Sequence, residues 1–78
     1  MDIKITTKSE VDGMRVMKDF GRIEVSTADF TKVEDRLIKK AADLSNEINW
    51  VLDVKLYQRP NGKFLVSGVP VMLVEAEG

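Results

Sequence analysis

The rhythm of apolar and polar positions changes several times along this chain, and each change predicts an element. Residues 2–7, "DIKITT", alternate and are β-branched, as a short strand or an extended arm does. "KSEVDG" then supplies polar residues and a turn at Asp12–Gly13. "MRVMKDFGRIEV" (14–25) is strand-like, and Gly21 in its middle marks a bulge, a tight bend or the meeting of two strands. Over "STADFTKVEDRLIKKAADLSNE" (26–47) the rhythm becomes helical. Phe30, Val33, Leu37, Ala41 and Leu44 recur at spacings of three and four and form one stripe, which Ile38 and Ala42 widen. Ser26 or Thr27 can cap this helix, Asp29 suits its first turn, and Ser45–Asn46 suits its end, with Asn taking the left-handed conformation.

Alternation returns in "INWVLDVKLYQ" (48–58), and "RPNG" (59–62) reads as a turn. Pro60 fits the first central position of a type I turn and Gly62 the left-handed position that closes a three-residue loop. A two-residue Asn-Gly loop competes, but it would place Pro60 at the closing pair, where its missing N–H is felt. The three-residue loop sets Arg59 against Lys63. Continued without a break, it pairs Leu56 with Val66, Val54 with Gly68, Leu52 with Pro70, Trp50 with Met72 and Ile48 with Val74.

In that register one hairpin face carries Ile48, Trp50, Leu52, Val54, Leu56, Phe64, Val66, Met72 and Val74, and it must meet the helix stripe. The other face carries Val51, Tyr57, Leu65, Val69, Val71 and Leu73, with Asn49, Asp53, Lys55 and Ser67 among them. One helix covers one face of a sheet, so this second apolar face needs another cover. A subunit interface is the preferred reading, and the N-terminal segment folding over it is the alternative. The strand "FLVSGVPVMLVE" (64–75) holds Gly68 and Pro70, and Pro cannot donate to a ladder. A bulge, a break in pairing or a sheet edge is therefore expected around Gly68–Pro70.

Composition narrows the chemistry. Seventy-eight residues make one domain, 1–78, which buries roughly 60–65% of its unfolded surface and is only modestly stable alone. There is no Cys and no His, which excludes disulfides and the usual zinc, copper and haem sites. Of the common supports for a small domain, oligomerisation is left. The formal net charge is −1 and the basic residues form no stripe, so a nucleic-acid footprint is missing. "MDIKITTKSE" has no apolar core of a signal peptide, and no run approaches the ~20 apolar residues that span a bilayer. Cytoplasmic residence with no membrane partner is expected.

Catalytic arrangements are poorly represented. The usual nucleophile–base pairs lack their His and Cys. Glu34 and Asp35 point apart on a helix, Glu75 and Glu77 sit in a solvated tail, and Lys39–Lys40 is too short for a polyanion site. The glycines are too dispersed for a phosphate loop. No enzyme activity and no cofactor are expected. Trp50 reads as a core residue under the helix, and secondarily as a stacking platform for a small aromatic ligand; Tyr57 and Arg59 are of the types that anchor interfaces.

The segments "ITT" (5–7), "DGMRVMKDFGRIEVS" (12–26), "VEDRLIKKAADLSNEINWVLDVKL" (33–56) and "FLVSGVPVML" (64–73) together resemble the YbjQ-like family, whose members carry a heavy-metal-binding label. The family's insert before the helix is missing here, "LSNEIN" (44–49) replaces its helix exit, and Val69–Pro70 replaces the Thr-Ala of its last strand. The resemblance implies an α+β, dodecin-subunit-like fold, β(β)-α-β-β, with one helix on a small, mainly antiparallel sheet. It implies a ring-like homo-oligomer, a pentamer on the family pattern, and a non-catalytic structural or binding role. The metal label transfers poorly to a chain with no soft ligand. The other reading is a phage- or mobile-element-type accessory protein that inhibits a host protein or sequesters a small ligand.

Overall fold

A computed structural model describes residues 2–76. Strand β1 is Lys4–Ile5, β2 is Met14–Asp19 and β3 is Ile23–Thr27. A single 3-10 turn, Phe30–Lys32, leads into helix α1, Val33–Leu44, and β4 (Trp50–Gln58) and β5 (Phe64–Glu75) form the closing hairpin. The result is the expected α+β arrangement, one helix packed on one sheet. Strand order is β1-β4-β5-β2, with β3 also on β5. The β1–β4 pair is parallel and the others are antiparallel.

Strand β5 is the spine. At a strand rise of about 3.3 Å per residue its 12 residues account for most of the 47 Å long axis. β4 flanks it on one side. On the other side β3 covers Phe64–Gly68 and β2 covers Val71–Glu75. The changeover falls at Val69–Pro70, so the N–H that Pro70 lacks is not needed; its carbonyl accepts from Phe20 N at 3.0 Å. Gly21, at φ +82°, makes the corner between β2 and β3, and Asp19 Oδ1 accepts its N–H at 2.8 Å. Gly21 thus marks two strands meeting.

The three-residue loop forms as expected: Arg59 N donates to Lys63 O at 2.8 Å and Gly62 has φ +81°. Lys55, Leu56, Tyr57 and Gln58 take the expected register. The ladder then slips by one. A bulge at Asp53–Val54 lies opposite Gly68, and beyond it Leu52 pairs with Val69, Val51 with Pro70 and Trp50 with Val71. The irregularity expected near Gly68–Pro70 is there on both sides of β5: the pairing breaks at Val69–Pro70 between β3 and β2, and the bulge on the other side is carried by the facing strand, β4.

The slip inverts the faces of β4 below the bulge. Val51, expected on the second face, is fully buried under α1 with Val33, Leu37, Ala41, Ile48 and Val66. Trp50 and Leu52, expected under the helix, lie on the second face with Val71 and Leu73. "WVL" is apolar at every position, so its composition is compatible with either phase. A Cβ at position 68 would meet Val51 Cγ1 at 2.4 Å, so the bulge and the glycine form one unit.

The helix differs from expectation at both ends. Thr27 closes β3 and is buried, and Asp29 is the cap, accepting Thr31 N at 3.0 Å. The 3-10 turn displaces the helix start to Val33. Ser45 ends it in an extended conformation, and Asn46 is not left-handed. Phe30 and Leu44, at the two ends of the stripe, are about half exposed, and Phe30 packs edge-on against Phe64 with centroids 5.3 Å apart.

Candidate functional site: the hairpin arm

The second face of the sheet divides into three zones. At the base, Leu52, Val71 and Leu73 are buried under Val11, Met14, Trp50 and Val69. The N-terminal segment therefore supplies part of the cover, and it is tied to β4 beyond β1: Lys8 O accepts from Asp53 N at 2.8 Å and Thr6 O from Val54 N at 3.1 Å. The side chain of Asn49 behaves like an extra strand residue here. Its Oδ1 accepts from Leu73 N at 2.8 Å and its Nδ2 donates to Leu73 O at 2.9 Å.

In the middle zone Arg22 reaches across β5. Its guanidinium donates to Ser67 Oγ at 2.8 Å and to Asp53 O at 3.3 Å, and pairs with the Asp53 carboxylate. Buried Ser67 and the bulge are thereby satisfied by one side chain. This network is internally matched and leaves no buried side-chain polar atom without a partner among the described residues.

The outer zone is the arm of the hairpin, Lys55 to Lys63 on to Leu65; Lys55–Lys63 is exposed and Leu65 is half-buried. Tyr57 is 51% exposed and Leu56, on the opposite face, is 44% exposed. Tyr57 pairs with half-buried Leu65. Among the described residues no strand pairs with the outer side of β4 along Lys55–Gln58, because β1 pairs it only at Trp50–Val51 and the Thr6–Lys8 segment hydrogen-bonds it only as far as Val54. The alternation of an antiparallel ladder, fixed by the Arg59–Lys63 pair, turns the backbone groups of Leu56 and Gln58 outward and those of Lys55 and Tyr57 toward β5. The edge is unbulged over these residues. By contrast β2, also an edge, is bulged between Val16 and Lys18, and Lys40 Nζ donates to the outer carbonyl of Glu24 on β3 at 2.8 Å. A bulge, and a side chain hydrogen-bonded to an outward carbonyl, each close off a strand edge; Lys55 gives the β4 edge a charge but makes no such bond among the described residues.

The arm is also basic. From Val54 to Val74 the charged residues are Lys55, Arg59 and Lys63, with no Asp or Glu. Lys55 Nζ lies 3.9 Å from Asp53 Oδ2, at the arm's inner limit.

Of the residues expected to form an interface, the structure leaves Tyr57 exposed and Leu65 and Val69 half-buried; Val51, Val71 and Leu73 are covered by the chain itself. Trp50 is half-buried in the second-face cluster, with Lys4 Nζ 5.7 Å from its ring centroid. Its ring lines a shallow cavity of about 360 Å³ shared with Thr6, Lys8, Glu10, Val11 and Asp12. Lys55 keeps the expected second face and Leu56 the expected helix-side face, while sequence pattern alone gives Lys63 no site role. The helix does not cover Leu56, and the run without carboxylates is the signal in the sequence that points to the arm. Glu77 lies outside the described residues.

Among the described residues no three His, Cys, Asp or Glu side chains gather as a metal would require, and no helix is long and apolar enough to cross a membrane. Comparison of the chain with protein-family models, with curated proteins and with solved structures gave no match.

Proposed function

We propose that this protein is a non-catalytic, cytoplasmic binding module that works by docking its hairpin arm onto another protein. The observation that carries the reading is the unbulged edge of β4 at Lys55–Gln58, which no strand among the described residues pairs, with Leu56 and Tyr57 exposed on its two sides. Soluble domains protect such edges unless the edge is used. The test is a photo-crosslinking amino acid placed at Tyr57, with Lys39 on the helix as control, in the natural host. The expected result is a discrete adduct of one partner protein at position 57 and none at 39. No adduct at 57, or the same adducts at both positions, would refute it.

A second reading is homo-oligomerisation, the role implied by the YbjQ-like resemblance. It is favoured by exposed Asp12 and Glu75 at the end opposite the basic arm, which would match head-to-tail contact. An adduct of twice the chain mass at position 57 selects this reading.

A further inference from the structure

We infer that the arm's partner presents an extended segment in which acidic and apolar residues alternate, and that this segment adds to the sheet as a strand beside Lys55–Gln58. The inference rests on the docking reading and specifies its partner.

Two properties of the edge define the occupant. First, the outward N–H and C=O groups of Leu56 and Gln58 can be satisfied together by another strand. Second, the two faces of the edge differ. Lys55, Tyr57 and Arg59 share one face, and Val54, Leu56 and Gln58 share the other. In strand pairing, directly opposed residues point the same way. A strand laid here sets alternate side chains against Lys55 and Arg59, with Lys63 across the loop, and the intervening ones against Leu56. Carboxylates match the first set and aliphatic groups the second. No Asp or Glu occurs from Val54 to Val74, and among the described residues Arg59 and Lys63 make no salt bridge, which leaves them free to meet a partner's carboxylates.

A second copy of β4 is a poor occupant. Antiparallel pairing centred on Tyr57 would set Lys55 against Arg59 of its partner. Single-stranded nucleic acid matches the cations, but it uses neither the outward amides nor the aliphatic face of Leu56.

The test is titration of the isotope-labelled protein with a short synthetic peptide of alternating Glu and Val, followed by amide shifts and hydrogen exchange. The expected result is binding that weakens with salt, with the largest shifts and new protection at Leu56 and Gln58. A peptide of the same composition in separate blocks of Glu and Val should bind at least ~10-fold more weakly, and so should the Lys55→Glu/Arg59→Glu/Lys63→Glu variant toward the alternating peptide. Leu56→Pro, which removes an outward N–H and leaves the β5 ladder intact, should also lose binding; the exchange data on the unaltered protein answer the same question if that variant does not fold. Equal binding of both peptides, shifts centred elsewhere, or binding at the arm of an oligothymidylate in place of the peptide would overturn the inference. If Tyr57 crosslinks a partner while the alternating peptide does not bind, docking stands and the acidic strand falls.

Discussion

Asp53 and Gly68 lie opposite each other across the β4–β5 hairpin: Asp53 carries the positive φ of the bulge, and Gly68 lacks the side chain for which Val51 and Val54 leave no room. Asp53 is the one non-glycine residue with positive φ among the described residues, at +52°, and Gly68 has no room for a Cβ. Asp is among the residues that tolerate the left-handed region. The bulge that they form sets which residues of β4 face the helix, and it separates the packed base of the sheet from the open arm.

Gly68→Ala should therefore be costly even though alanine is small. The new methyl would meet Val51 Cγ1 at 2.4 Å and Val54 Cγ2 at 3.2 Å, in a part of the core that is already filled. A loss of about 1–3 kcal/mol is expected in urea unfolding. Unchanged stability would mean that the two strands are not this close.

Arg22 holds the same bulge from the other side of β5. Arg22→Ala removes the partner of buried Ser67 Oγ and of the Asp53 carboxylate. A destabilisation of about 1–2 kcal/mol is expected. Arg22→Lys should restore little of it, because one ammonium cannot reproduce the planar fork. Full rescue by lysine would show that charge alone matters there.

Val71 lies in the covered base of the second face and Tyr57 on the exposed arm. Val71 is 1% exposed, so Val71→Lys buries an unpaired charge and should destabilise the fold by about 3 kcal/mol or more. Tyr57→Lys, on the exposed arm, should change stability by less than about 1 kcal/mol. Thermal unfolding of the two variants side by side is the check; comparable losses would mean that the arm is packed.

Asp29 provides a pH signature. The Thr31 hydroxyl, then the Thr31 amide, stabilises its carboxylate and holds its pKa below the usual value. A depressed folded pKa contributes stability above the unfolded value and loses it as pH falls through the folded one. NMR titration should place Asp29 below an ordinary Asp, and Thr31→Val should move it back upward. A Thr31→Val variant with an unmoved titration would contradict the assigned cause.

Much of the fold was legible in the chain because periodicity and turn chemistry agreed. The helix stripe from Val33 to Ala41, the Pro60–Gly62 turn and the corner at Gly21 each have a local cause, and each is found. The bulge was not legible at its true position. Gly68 and Pro70 announced an irregularity, but whether β4 or β5 absorbs it depends on the space between Val51 and Gly68, which is a tertiary property. Because Trp50, Val51 and Leu52 are all apolar, hydrophobic pattern could not reveal that their phase had inverted. The same blindness hid the arm. Leu56 has the right parity for the helix face, and only the helix's actual extent leaves it 44% exposed. The basic character of residues 54–74 was visible throughout, yet it acquires meaning only beside an unpaired edge.

Amide hydrogen exchange of the isolated chain at micromolar concentration tests the central claim most directly. Lys55 and Tyr57 donate inward to β5, and Leu56 and Gln58 point outward. An open edge predicts that Lys55 and Tyr57 are protected while Leu56 and Gln58 exchange near the rates of unprotected amides. Protection at all of these positions would mean that the edge is already covered, and the arm could not then be the docking surface.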